Sequence, residues 1–137
     1  MKIVMDTNIF VSSFLWKGNP RKIIDRVINR LDKLYITDEI LSEIKKVMLR
    51  KKFKLNEHVV DDYLNIIKYF SIKVFPGNKI IKISRDKDDD KFLKCSIEGN
   101  VDYIVTGDLH LLELKKYNNI KILNPKNYLE IIERLNF

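Results

Sequence analysis

The sequence predicts an α/β fold in which a mainly parallel sheet of about five strands carries helices on both faces. Short runs of β-branched and aromatic residues alternate with segments whose apolar residues recur at helical spacing. This alternation indicates parallel strands, because a parallel pair needs a crossover connection, usually a helix. The chain of 137 residues is long enough for one domain with a hydrophobic core and short for two. We therefore expect a single domain spanning residues 1–137.

The first elements are a strand, a helix and a second strand. Residues 2–6 are a short β-rich run that ends in an aspartate. Asn19 and Pro20 are a helix-start signal, since proline is favoured in the first helical turn. Apolar residues follow at helical spacing as far as Leu31, and residues 34–36 form the next β-rich run.

Two more helices and a third strand come next. Thr37 or Asp38 can cap the first of these helices, and Asn56 begins the second. Both helices carry apolar residues three and four positions apart. Residues 72–75 form the third strand, which Pro76-Gly77 ends.

The last third of the chain repeats the alternation. The aspartate-rich run at residues 86–90 leads into a helix that stops at Gly99. Residues 103–105 and 120–123 are the fourth and fifth predicted strands, and Asn124-Pro125 opens the final helix. The predicted sheet therefore has its acidic residues close to strand and helix ends.

Four acidic segments occupy comparable positions in this arrangement. Asp6 ends the first strand, Glu43 lies about one turn into a helix, Asp88–Asp90 begin a helix, and Asp108 follows the fourth strand. Right-handed crossovers place the carboxyl ends of all parallel strands at one edge of the sheet. We therefore expect the four segments to converge into one acidic pocket.

Carboxylates that converge need a counter-charge, because like charges disfavour the ionised form. Oxygen-only ligands select Mg²⁺ or Mn²⁺ over zinc. A metal-activated water is suited to phosphodiester hydrolysis. The net charge of +7 fits a polyanion partner such as nucleic acid, or else simply a lysine-rich solvated surface. The basic run at residues 50–54 has two interpretations as well: it holds phosphates, or it complements a helix C-terminus.

Composition favours a cytoplasmic protein that does not span a membrane. No apolar run approaches the ~20 residues that a spanning helix needs. The chain has one cysteine, Cys95, which fits a reducing compartment and which its helical pattern predicts to be a buried thiol. The run Phe14-Leu15-Trp16 is either core packing, which we favour, or a partner site.

These residues also carry a family resemblance. Met5-Asp6-Thr7-Asn8-Ile9-Phe10 resembles the opening motif of PIN domains. Residues 85–93, Arg-Asp-Lys-Asp-Asp-Asp-Lys-Phe-Leu, and residues 102–108, Asp-Tyr-Ile-Val-Thr-Gly-Asp, resemble the second half of the same domain. The similarity is closest to the VapC-like branch, which includes toxin components of toxin–antitoxin systems. It implies a three-layer α/β/α sandwich and Mg²⁺- or Mn²⁺-dependent endoribonuclease activity.

The resemblance also implies a set of site residues. The family's acids fall on Asp6, Glu43 and Asp108, with one more inside the aspartate run, where Asp89 is favoured over Asp90. Direct metal ligation is expected from Asp6 and from Asp89 or Asp90, while Glu43 and Asp108 position or activate the attacking water. The residues expected to support these acids are Thr7, Asn8, Asp86, Thr106 and His110.

His110 is a departure from the family pattern, because many PIN domains have an aspartate at that position. It leaves a second hypothesis open, in which the chain is a catalytically weakened PIN-like module that binds RNA or a protein. A third, phosphotransfer with Asp6 as acceptor, is disfavoured because no second aspartate stands two residues later. The expected partners are an RNA substrate and, as the resemblance suggests, an antitoxin protein and a second copy of the chain.

Overall fold

The computed structural model describes residues 1–77 and 87–135, with the side chains of Lys87 and Asp88 excepted. Its strands and helices alternate along most of the chain, as the sequence predicts. The strands are β1 (Lys2–Met5), β2 (Lys33–Ile36), β3 (Ser71–Lys73), β4 (Tyr103–Val105), β5 (Lys116–Tyr117) and β6 (Ile120–Leu123). The helices are α1 (Thr7–Leu15), α2 (Asn19–Ile28), α3 (Asp38–Met48), α4 (Glu57–Phe70), α5 (Lys87–Gly99), α6 (Leu109–Leu114) and α7 (Pro125–Leu135).

The described strands form one six-stranded sheet in the order β3-β2-β1-β4-β6-β5. Every neighbouring pair is parallel except β5 with β6, which is antiparallel. The mainly parallel sheet is thus confirmed, with a sixth strand added. That strand was missed because it has two residues, Lys116 and Tyr117, too few to show a β pattern.

Both faces of the sheet centre are covered. Ile3, Val4 and Met5 on β1 are at most 1% exposed, although successive side chains point to opposite faces. Ile104 and Val105 on β4 are fully buried in the same way. Residues buried on both sides of a parallel strand require helices on both faces, and the predicted three-layer α/β/α architecture is confirmed.

The structure corrects four local expectations. The sequence showed no sign of α1 or α6. Leu31 lies beyond the end of α2 and is 59% exposed, because the chain turns at Arg30, whose φ is 59°. The third strand ends at Lys73, and Phe75 is exposed beyond it.

The run at residues 14–16 divides between the two interpretations. The Phe14 ring packs edge-to-face on Tyr63 with centroids 4.9 Å apart, and Leu15 packs against the core. Trp16 follows α1 and is 68% exposed. Core packing therefore holds for the first two residues and not for the tryptophan.

The carboxyl ends of β1 and β4 and the beginning of α3 lie at one edge of the sheet. β1 and β4 are parallel neighbours, so Asp6 and Thr106 leave the sheet side by side. α3 begins two residues after β2 ends, which places its first turns at this edge. Among the described helices, none is long and apolar enough to cross a membrane.

Candidate functional site

Asp6 begins the site at the carboxyl end of β1. Its backbone N–H donates to the carbonyl of Val105 on β4 at 3.2 Å, which continues the parallel pairing by one residue. Its side chain caps α1, with the N–H of Ile9 donating to Asp6 Oδ1 at 3.1 Å. This capping role was not predicted, because α1 itself was not predicted. Asp6 is 5% exposed and fixed by the backbone on either side.

Thr106 connects Asp6 to Asp108. The buried Thr106 hydroxyl donates to Asp6 Oδ2. Its oxygen, Thr106 Oγ1, also accepts from the N–H of Asp108 at 2.9 Å. Asp108 Oδ1 in turn accepts from the N–H of His110 at 2.7 Å and so caps α6. A hydroxyl can donate one bond while accepting another, so Thr106 fixes both carboxylates relative to each other.

Burial dominates the electrostatics of Asp6. Desolvation raises the pKa of its carboxyl above the ordinary value of 3.8. Bonds from Thr106, Ile9 and Gly107 act in the opposite direction, and the charge of Asp108 raises the pKa further. A buried carboxylate in this state is stabilised by any cation that approaches it.

Glu43 reaches the same edge from α3, and both of its oxygens are engaged. The Thr7 hydroxyl on α1 donates to Glu43 Oε2. Lys91 Nζ on α5 donates to Glu43 Oε1 at 2.6 Å. Glu43 therefore joins three helices at the site.

The aspartates of residues 86–90 differ in whether they face the cleft. Asp89 is 5% exposed and faces the cleft described below. Asp90 is 9% exposed and does not line that cleft, and its Oδ1 makes no hydrogen bond to any described residue. Asp86 lies outside the described residues, and the side chain of Asp88 does as well.

These segments enclose one cleft of about 210 Å³ at the sheet edge, which we call the acid cleft. Four carboxylates line it together with polar, apolar and cationic side chains. The lining residues are Asp6, Thr7, Asn8, Glu43, Val47, Arg50, Asp89, Phe92 and Asp108. The structure thus brings together most of the residues that the sequence selected, although they come from four separate segments.

Besides Asp90, the described residues that were selected but do not line the cleft are supporting ones. Thr106 is buried beneath the cleft and acts through Asp6 and Asp108. The side chain of His110 is exposed and is not part of the lining. Among the described contacts, His110 acts at this edge through its backbone N–H, which donates to Asp108 Oδ1.

Two cations at the cleft differ in whether sequence analysis singled them out. Arg50 belongs to the basic run and lies two residues after the end of α3, where it lines the acid cleft. Lys91 was not selected at all. Its one sequence signal is its place directly after the aspartate run, on the same helix.

The acid cleft fits a hard divalent cation by the chemistry of its donors. Its four carboxylates offer oxygen ligands only, and the unpaired oxygen of Asp90 lies buried on the same helix as Asp89. Within the described part of the chain, no group of three or more aspartate, glutamate, histidine or cysteine side chains is arranged to hold a metal ion. Mg²⁺ does not need one, since it is held by one or two carboxylates and keeps several waters.

The comparisons with known proteins define the class. A model of the PIN domain family matches residues 2–110 of the chain. The chain therefore belongs to the PIN domain family, whose members are generally nucleases. The expected resemblance to PIN domains is confirmed.

Two particular proteins are similar to this chain. The uncharacterized protein MJ1680 of Methanocaldococcus jannaschii is 32% identical, with 98% of this chain and 93% of that protein aligned. The fold is similar to that of a chain in the crystal structure of VapBC2 from Rickettsia felis bound to a DNA fragment from their promoter. That match has a TM-score of 0.62 at 15% identity and covers 90% of this chain and 98% of the other.

Proposed function

We propose that this protein is a metal-dependent endoribonuclease that hydrolyses phosphodiester bonds in the acid cleft. The observation that carries the proposal is the convergence of Asp6, Glu43, Asp89 and Asp108 in one cleft of a PIN domain. Arg50 lines the same cleft, so a site of negative charge has a cation beside it. This combination suits a phosphate-containing substrate whose backbone is held by cations and cut beside the acids.

The acids divide into ligands and water-positioning groups. Asp6 and Asp89 are the proposed ligands of Mg²⁺ or Mn²⁺, because both are nearly buried and both face the cleft. Asp90 is the alternative to Asp89, but it does not line the cleft. The bound cation would supply Lewis acidity toward the water and the phosphate.

The remaining groups prepare the cleft for hydrolysis. Asp108, held by Thr106, is placed to accept a proton from the attacking water, with Glu43 as the second acid beside it. Arg50 binds a phosphate of the substrate, since its guanidinium presents several donors to phosphate oxygens. Thr7 and Asn8 orient carboxylates and water at the start of α1.

The biological setting is proposed on the same basis. A cytoplasmic toxin held by an antitoxin fits the PIN family and the fold that this chain shares with a chain of the VapBC2 crystal structure. Residues 1–137 would form the single nuclease domain, and a homodimer is a further expectation. The neighbouring reading frame tests this part: a small protein with a DNA-binding N-terminus supports the toxin assignment, and its absence removes that support.

The test of the chemistry is cleavage of a pooled RNA set. The protein should cut RNA with Mn²⁺ and not with EDTA, and Asp108→Asn should reduce the rate by at least about 100-fold, as expected for loss of a positioned acid or base. Glu98→Gln on α5 is a matched control, since Glu98 is absent from the cleft lining. Salt-dependent RNA binding without cleavage would instead favour the RNA-binding module.

Arg50 can be tested separately through binding. Arg50→Ala should weaken RNA binding and lower the slope of log affinity against log salt by about one, as for loss of one phosphate contact. Lys54→Ala, in the same basic run but outside the cleft lining, is the control. An unchanged slope in Arg50→Ala would remove Arg50 from the substrate site.

A further inference from the structure

The Glu43 carboxylate lies between a hydroxyl and a cation. Its Oε2 accepts from the Thr7 hydroxyl, and its Oε1 accepts from Lys91 Nζ at 2.6 Å. The two donors come from α1 and α5, both of which contact α3. Glu43 is therefore held in one orientation by contacts that are internal to the protein.

Lys91 is unusual because its side chain is only 9% exposed. Lysine is almost never fully buried unless it is paired, since burial removes the hydration of the ammonium. Glu43 is the carboxylate that its Nζ contacts, and the ammonium also lies 5.7 Å from the centre of the Phe92 ring. Lys91 is thus a partly desolvated cation bonded to one of the four acids of the acid cleft.

A cation in this place has a consequence for metal binding. A carboxylate oxygen that already faces an ammonium offers less negative potential to a second cation, and the ammonium repels a divalent ion nearby. Lys91 and Arg50 together offset part of the charge of the four acids that line the cleft. The acid cleft can therefore stay folded without a metal, at the expense of its affinity for one.

We propose that Lys91 is a resident counter-cation of the acid cleft, which holds Glu43 against Thr7 and competes with the divalent cation for Glu43. This positioning role rests on the proposed function, because it assumes that the cleft binds Mg²⁺ or Mn²⁺. Lys91 then sets the concentration of metal at which the cleft fills. It also ties that concentration to the contact between α3 and α5.

Calorimetric titration with Mn²⁺ alone tests the proposal without any substrate. Lys91→Met keeps the length of the side chain and a similar helix propensity but removes its charge. It should bind Mn²⁺ on the order of tenfold more tightly than the wild type, as expected for removing one unit charge near a divalent ion. Lys91→Arg should bind as the wild type does. Lys94→Met, one turn later on α5, is the matched control, because the described contacts of the Glu43 carboxylate are with Thr7 and Lys91 and not with Lys94.

A double-mutant cycle separates competition at Glu43 from a general effect of charge. In the Glu43→Gln background, Lys91→Met should change Mn²⁺ affinity less than about twofold, because the contested carboxylate is gone. The full increase persisting in that background would overturn the proposal, and so would unchanged or weaker Mn²⁺ binding by Lys91→Met. If Lys91→Met does not fold, Lys91→Gln is titrated with the same expectations.

This titration distinguishes failure of the proposed metal site from failure of the proposed role of Lys91. If neither the wild type nor Lys91→Met binds Mn²⁺, the metal site of the proposed function is contradicted, and so is the inference. The other outcome is that the wild type binds Mn²⁺, that Asp6→Asn abolishes this binding, and that Lys91→Met binds Mn²⁺ with the same affinity as the wild type. This outcome would contradict the inference alone.

Discussion

Thr106→Val isolates the hydroxyl that joins the two strand-end acids. Valine has nearly the shape of threonine, so the fully buried site is refilled without a cavity. The substitution removes the bond to Asp6 Oδ2 and the acceptor of the Asp108 N–H, which is 2.9 Å away in the wild type. What remains for the Asp6 carboxylate is the capping bond from Ile9 at 3.1 Å and the bond from the backbone of Gly107.

The expected cost follows from the character of the two lost bonds. A hydrogen bond to a charged group contributes about 1.5–3 kcal/mol and a neutral one about 0.5–1.5 kcal/mol. Thr106→Val should therefore lower the free energy of unfolding by about 2–4 kcal/mol. Thr106→Ser keeps the hydroxyl and loses one buried methyl group, which costs only about 1 kcal/mol.

Urea denaturation with EDTA present measures both variants. Equal slopes against urea would show that the denaturation midpoints can be compared directly. We expect the valine variant to unfold at a clearly lower urea concentration than the serine variant. A valine variant as stable as the serine variant would refute this expectation, because the hydroxyl would then contribute nothing to the site.

Three further outcomes follow from the described contacts. Burial raises the pKa of Asp6, so the folded state loses stability as the pH rises from the ordinary value of 3.8 toward the raised one. Asp6→Asn removes this titrating group, so the stability of the variant relative to the wild type should improve as the pH rises from ~3 to ~7; a stability difference that is the same at both pH values, measured with urea, would contradict this. Gly99→Ala should lose about 1–2 kcal/mol, since a Cβ there would lie 2.8 Å from Tyr35 Cδ1; an unchanged midpoint in urea would show that the ring moves freely. Burial raises the pKa of the Cys95 thiol to about 12, so iodoacetamide should modify it at pH 8 only after unfolding; rapid modification of the folded protein would contradict its burial.

The sequence predicted the gathering of acids because topology alone determines it. Asp6 and Asp108 follow neighbouring parallel strands, and parallel strands end at one edge whatever their side chains are. Asp89 needed only the start of α5 at that edge. Which of Asp89 and Asp90 faces the cleft depends on the rotation of the helix about its axis, and the aspartate run does not reveal that rotation.

The sequence did not predict α1, and the capping role of Asp6 was missed with it. The helix carries apolar residues on most of its surface, so Ile9, Phe10 and Val11 resemble the end of a strand more than an amphipathic helix. Its buried environment between α2 and α3 overrides that local preference. A helix of this kind is recognised from tertiary packing and not from periodicity.

The contacts of Glu43 could not be predicted from sequence patterns for another reason. Thr7, Glu43 and Lys91 belong to three helices, and their meeting depends on the depth at which each helix packs. Neither partner stands at a fixed spacing from Glu43 along the chain. The cations of the acid cleft were accordingly less predictable than its acids.

The central claim is that acids from separate segments act as one metal-dependent site. Single-turnover cleavage of a labelled RNA in Mn²⁺ should be measured for Asp6→Asn, Asp89→Asn and the double variant, each confirmed as folded. Groups that serve one metal are strongly non-additive, so the double variant should be no slower than the slower single variant. Rate losses that multiply in the double variant would contradict the account, because Asp6 and Asp89 would then act independently.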